Sequence, residues 1–234
     1  MDLSPLWISL ATSIVATAIT LVIGVAAAAW REKRRGFVAV VVDCVFLLPL
    51  VLPPTVVGFL LLLLFGRRGP IGSFLDGLGV SIVFSWPATV IAAATVAFPL
   101  MYLSARAALE QVDPHLAEAA RTLGANEWRI FRQIFIPLAW PGLLAGTILT
   151  FARALGEFGA TLMIAGDIPG RTETIPLAIY FAVESGDMHS AWLWCIADVA
   201  ISLALLAALY YFTQPLRLGR TREAHSSHES EDAA

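Results

Sequence analysis

ISLATSIVATAITLVIGVAAAAW, residues 8–30, contains no charged side chain. As a helix it is long enough to cross the roughly 30 Å hydrocarbon core of a bilayer. Its flanks are asymmetric. Asp2 is the one charged side chain before it, while Arg31, Lys33, Arg34 and Arg35 follow directly. A cleaved secretory signal carries its basic residues first. The stretch is therefore expected to remain as a membrane span, although Ala26 to Ala29 imitate a cleavage site.

Outward from this stretch the pattern repeats. Residues 38–65 hold one acid, Asp43, and are interrupted at Pro49, Pro53 and Pro54. Residues 80–105 are uncharged and contain Pro87 and Pro99. Residues 142–165 contain Arg153 and Glu157, and residues 191–213 contain Asp198. The apolar stretch from Thr174 to Val183 is too short to span and reads as interfacial or re-entrant. Of the 234 residues, 58% are hydrophobic and 14% charged, against about 25% charged in soluble domains. Mean hydropathy is +0.77. Folding hides only about 70–75% of the surface of a chain this size, so a soluble globule is excluded. A net charge of −3 argues against a nucleic-acid partner. The expected fold is an all-α integral membrane protein of about five transmembrane helices.

Basic residues orient it. Eleven lie in the loop after the first span, in the loop 106–141 and after the fifth span. Only Arg67, Arg68 and Arg171 lie in the other two loops. The positive-inside rule then puts the N-terminus outside and the C-terminus in the cytoplasm. Residues 1–216 are expected to form the membrane domain. The polar tail 217–234 reads as disordered, with His225 and His228 solvated rather than chelating.

Lys33 is the single lysine and sits between Glu32 and Arg34. The phosphate loop of most ATPases needs Gly-Lys-Ser/Thr, so any ATP-driven work requires an ATPase on another chain. Cys44 and Cys195 lie in apolar runs without metal-ligand spacing. No catalytic residue, metal site or cofactor of this chain's own is expected.

The loop 106–141 is the most informative segment. Asp113 reads as a helix N-cap with Pro114 at the first helical position. Leu116, Ala119, Ala120 and Leu123 fall on one face, and Gly124 is the expected stop. A second short amphipathic helix carries Trp128, Ile130, Phe131, Ile134 and Phe135, and Pro137 and Pro141 are expected to end it before the next span. By itself this helix–Gly–helix unit fits either a hairpin lying on lipid headgroups or a docking element.

Glu118-Ala119-Ala120, three residues, Gly124, nine residues and Ile134-Phe135-Ile136-Pro137 resemble the Glu-Ala-Ala loop of bacterial ABC importer permeases. That pattern ends Ile-x-Leu-Pro, and Ile136 stands where Leu is usual. The resemblance implies a MetI-like, type I permease fold and a coupling helix that docks in a groove of a cytoplasmic ATPase. The docking residues would be Glu118, Ala119, Ala120, Arg121, Gly124, Ala125, Trp128 and Pro137. Glu118 and Arg121 would hydrogen-bond the partner, and Trp128 and Phe131 would supply buried anchors.

The resemblance extends over residues 8–213. Residues Leu48 to Gly58, Gly66-Arg67-Arg68-Gly69, Phe84-Ser85-Trp86, Phe98 to Met101, Phe151 to Thr161, Ile168 to Thr172 and Thr174 to Leu177 are similar to molybdate permeases. Sulfate and thiosulfate permeases share part of this pattern but are usually longer, and tungstate resembles molybdate in size and charge. The resemblance implies a permease homodimer in the bilayer, two cytoplasmic ABC ATPase subunits that use ATP with Mg²⁺, and an extracytoplasmic molybdate-binding protein.

Arg153 and Glu157 are four residues apart, hence on one face of a continuous helix. They read either as an internal ion pair or as part of the translocation path, where the planar guanidinium suits an oxyanion. Pro53, Pro54 and Pro99 are further pathway or gate candidates, because they kink apolar spans. A secondary transporter would show repeated broken helices, and no internal repeat is visible.

Overall fold

The computed structural model describes residues 2–32 and 36–231. Lys33, Arg34, Arg35 and the last three residues lie outside them, as do the side chains from 212 onward, His225 and His228 included. Among the described residues every regular element is helical. Among the described residues, four helices are long and apolar enough to cross a membrane, and a bent pair makes up to five.

α1 (Ser4–Glu32) runs the length of the bundle. It buries Ser9, Thr12, Ser13, Ala16, Thr17 and Thr20 and exposes Trp7, Ile14, Val22 and Ile23. Small and polar side chains inside with large apolar ones outside is the pattern of a helix packed in lipid.

α2 (Phe37–Val51) and α3 (Pro54–Phe65) make the bent pair, with 113° between their axes. The expected span 38–65 is therefore two short helices rather than one kinked rod. Leu52 precedes a proline, which pushes it out of the helical region to ψ 142°. Pro53 extends the break and Pro54 starts α3, where a missing N–H costs nothing. α4 (Pro70–Asp76) follows as a short helix.

α5 (Trp86–Glu110) is the central helix, packed against α1, α2, α8 and α9. It starts later than the expected 80, because residues 80–85 form a loop that ends at the N-cap Ser85. Its buried alanines include Ala88, Ala92, Ala93, Ala97, Ala105 and Ala108. α6 (Pro114–Thr122) and α7 (Glu127–Ile130) follow, then a π-helical turn, Phe131–Phe135, and α8 (Ile136–Leu155).

Neither Pro137 nor Pro141 ends a helix, contrary to expectation: residues Glu127–Leu155 form one continuous 29-residue rod. Pro137 has no N–H to offer the preceding turn, and the strain is absorbed as a π turn in which the Ile136 N–H bonds Phe131 O. The rod also ends early. It stops at Leu155, and α9 (Gly159–Ala165) starts after a break, so 142–165 is not one span.

Gly142 and Gly146 of α8 face α5. A Cβ on Gly142 would lie 2.7 Å from Ala108 Cβ, and one on Gly146 would lie 2.4 Å from Ser104 Cβ. This is the small-xxx-small spacing that lets membrane helices touch backbone to backbone. α10 (Ile175–Glu184) is ten residues, too short to span. Its first N–H is held by Ser9 Oγ of α1 at 2.7 Å. α11 (Met188–Glu231) carries the fifth apolar stretch and continues as helix to Glu231, where a disordered tail was expected from 217.

Candidate functional site: a docking hairpin and an intramembrane break

The hairpin after α5 is rigid by construction. Asp113 caps α6 by accepting from the His115 N–H at 2.9 Å. Gly124 closes α6 at φ 82°, with the Ala125 N–H on Ala120 O at 3.0 Å and the Gly124 N–H on Arg121 O at 2.9 Å. That pair of bonds is the Schellman stop that glycine favours. Asn126 caps α7 by accepting from the Arg129 N–H at 2.8 Å. Arg121 then clamps the two helices through Glu127, donating from Nε at 2.7 Å and from Nη2 at 3.2 Å. Glu127 holds the Arg121 guanidinium above its ordinary pKa.

Two of the expected docking residues also have partners within the hairpin. Arg121 is engaged within the hairpin, and Glu118 lies 3.3 Å from His115 Nδ1. Neither is poised solely for a partner. Phe131 is half-buried against the bundle, as is part of Ala120, and Ala117 and Ile130 are the residues that seat the hairpin. What projects is Leu123, 88% exposed, Trp128, 68% exposed, and Leu116, together with Glu118, Ala119 and Gly124. Ala125 is half-buried between them, and Pro137 lies exposed on the rod below. An open cavity of about 550 Å³ separates Trp128, Phe131 and Phe135 from Ala26, Ala29 and Trp30 of α1.

The second candidate region lies at the breaks. Gly156, Glu157 and Phe158 interrupt the helix, so Arg153 and Glu157 do not share one helical face. They still meet, at 2.9 Å. Glu157 is 2% exposed, and its other carboxylate oxygen accepts from the Ala160 N–H at 2.8 Å, which caps α9. One buried carboxylate thus starts α9 and anchors the Arg153 at the end of α8. The same turn touches the other break: a Cβ on Gly159 would lie 3.2 Å from Pro54 Cβ and Thr55 N. One on Gly58 of α3 would lie 2.7 Å from Ala160 Cα. The fold therefore brings Pro54 and the start of α3 to the turn that follows Glu157, two regions far apart in sequence. Pro99 is not among them and lies buried inside α5.

A third cluster lies at the hairpin end of the bundle, around Asp43. Arg31 donates to its carboxylate from Nε at 2.9 Å and Nη2 at 2.8 Å. Tyr102 Oη and Arg106 Nη1, the latter at 3.1 Å, converge on the same carboxylate. Their positions one turn apart in α5 were the available signal. Asp198 Oδ1 has no hydrogen-bond partner among the described residues.

At the opposite end, burial raises the Asp167 carboxyl above the ordinary range, and burial followed by the charges of Asp167 and Asp2 raises Glu173. Among the described residues, no group of three His, Cys, Asp or Glu side chains could hold a metal ion.

Residues 20–217 match the family model described as the inner membrane component of binding-protein-dependent transport systems. A relative in Escherichia coli K12, the molybdenum transport system permease protein ModB, is 49% identical over 181 residues, 76% of this chain and 79% of the relative. Among solved structures, the MetNI methionine ABC transporter in inward-facing conformations aligns with a TM-score of 0.66 at 18% identity, covering 90% of this chain and 94% of that one. A bacterial alginate ABC transporter, in complex with an alginate pentasaccharide-bound periplasmic protein, aligns with a TM-score of 0.68 at 16% identity, over 91% and 77%.

Proposed function

Since the chain belongs to the family of inner membrane components of binding-protein-dependent transport systems, we propose that it is the permease subunit of an ATP-driven importer that carries molybdate across the cytoplasmic membrane. The hairpin Pro114–Ile130 carries this reading, because it offers a pre-formed, capped knob with Leu123 and Trp128 in the open. Large apolar side chains on a water-facing hairpin favour a protein partner, and that partner is the ATPase. ATP and Mg²⁺ bind to the ATPase, while this chain moves cargo without altering it.

Orientation follows from charge: the basic hairpin end is cytoplasmic, and the N-terminus with α10 is outside. A binding protein delivers the oxyanion there, and two copies of the chain enclose the path. The cargo assignment is supported by the molybdenum transport role in the E. coli relative's name. ATP-dependent uptake into vesicles carrying the chain, its ATPase and its binding protein tests the whole reading. Molybdate uptake should be competed by tungstate and not by sulfate. Equal competition by sulfate would replace molybdate with sulfate as the cargo.

A further inference from the structure

The hairpin and the broken span must move together if one drives the other, and one side-chain cluster joins the helices that carry them. Asp43 lies about two and a half helical turns before the break at Leu52. Its carboxylate takes both Arg31 donors from α1, and Tyr102 and Arg106 from α5. Arg106 Nε continues to Glu110 Oε1 at 2.7 Å, where α5 ends just before the hairpin. Beside it, Phe46 of α2 meets the rings of Phe98 and Tyr102 edge-on, at 5.3 and 5.2 Å between centroids.

The rest of the hold on α2 is apolar, with Phe46 and Leu47 packed against the core around Tyr102. Ala39 is its one fully buried residue, and Phe37, Val38, Val40, Val41, Val45 and Leu48 are exposed. Apolar contacts are non-directional, so on their own they fix the position of a helix less tightly than directional bonds do. Charge-assisted hydrogen bonds are short and directional. Separating partly buried charges leaves each without its partner, so the cluster resists coming apart.

We propose that Asp43 is the positioning residue that transmits hairpin displacement to the broken span. When the hairpin moves, the end of α5 carries Tyr102 and Arg106, Asp43 draws α2 with them, and the Leu52–Pro53 bend takes up the difference against α3. The proposal rests on the transport reading above.

The test reconstitutes the permease with its ATPase and binding protein in proteoliposomes and measures molybdate uptake per ATP hydrolysed. In Asp43→Asn the ATPase still co-purifies and hydrolyses ATP, and uptake per ATP falls at least about fivefold. Tyr102→Phe, which strands no charge, gives a smaller fall, and Asp43→Glu restores part of the loss. A ratio within twofold of wild type in Asp43→Asn, or equal loss of hydrolysis and uptake, overturns the proposal. If Asp43→Asn does not assemble, an unchanged ratio in Tyr102→Phe overturns it equally.

Wild-type vesicles that take up no molybdate would refute the cargo reading instead. Spin labels at Thr122→Cys in the hairpin and Leu64→Cys in α3, with Cys44 and Cys195 replaced by Ala, then decide without cargo. The ATP-dependent change in their separation should vanish in Asp43→Asn, and its full retention overturns the proposal.

Discussion

At Gly124 a Cβ would meet no neighbour, so substitution there acts through the backbone alone. A side chain at φ 82° costs about 1–2 kcal/mol, and asparagine tolerates the region best. Gly124→Val should therefore lose more co-purifying ATPase than Gly124→Asn, measured as the ATPase-to-permease ratio after pull-down. Glu173 has the opposite character, being strained by its charge. Its folded-state pKa is raised, so the folded state binds more protons and stability falls as pH rises from the ordinary carboxylate value through the raised one. Glu173→Gln should flatten the fall in melting temperature over that interval, read by thermal scans in detergent at several pH values. At this scale the sequence was readable where a residue's role is local: Asp113 as a cap and Gly124 as a stop follow from their own backbone. The Arg121–Glu127 pair was not legible, because Glu127 sits across the very turn that Gly124 makes, and spacing alone does not reveal such a pairing.

Helix pairs are set by how closely backbones approach. Gly146 leaves no room for even a Cβ beside Ser104, so Gly146→Leu should separate α8 from α5 and destabilise the bundle by about 1–3 kcal/mol or more. A lower aggregation temperature in detergent checks it, while Leu149→Ala, on the exposed side of the same helix, should leave it unchanged. The apolar runs located the elements, but their boundaries were legible only where a charge or proline coincided with a real break. Pro53 and Pro54 did mark one, although its 113° angle depends on α3 finding α9. Pro137 and Pro141 did not, since a π turn accommodates the first. The break at Gly156–Phe158 was hidden because the run remains apolar and Glu157 was counted as part of a continuous helix.

For the molecule as a whole, composition already specified a helical membrane protein, and the burial pattern agrees: most of the buried polar side chains are threonine or serine, and many large apolar side chains, such as Ile14, Val22, Val45 and Leu63, face out. Sidedness remains a matter of counting arginines, and it makes a direct prediction. In a background with Cys44 and Cys195 replaced, Leu3→Cys should react with a membrane-impermeant maleimide on intact cells. Thr122→Cys should react only after permeabilisation. The reverse result would invert the chain and place the hairpin outside. The arrangement of α2, α3, α8 and α9 was not visible in one dimension, because it depends on contacts between Gly58, Gly159, Pro54 and Ala160 that lie about a hundred residues apart.

The π turn at Phe131–Phe135 has a geometric consequence for the hairpin above it. A single π turn is an α-helix with one residue too many, and each residue of an α-helix turns its successor by about 100°. The turn therefore acts as an angular offset between α8, seated on α5 by its glycines, and the face that presents Trp128. Deleting Gln133 should restore regular α-helix and swing Trp128 by about that angle around the rod. The spans would stay packed while the knob points elsewhere. A permease that folds and inserts normally yet no longer retains its ATPase would be the signature of that misdirected phase.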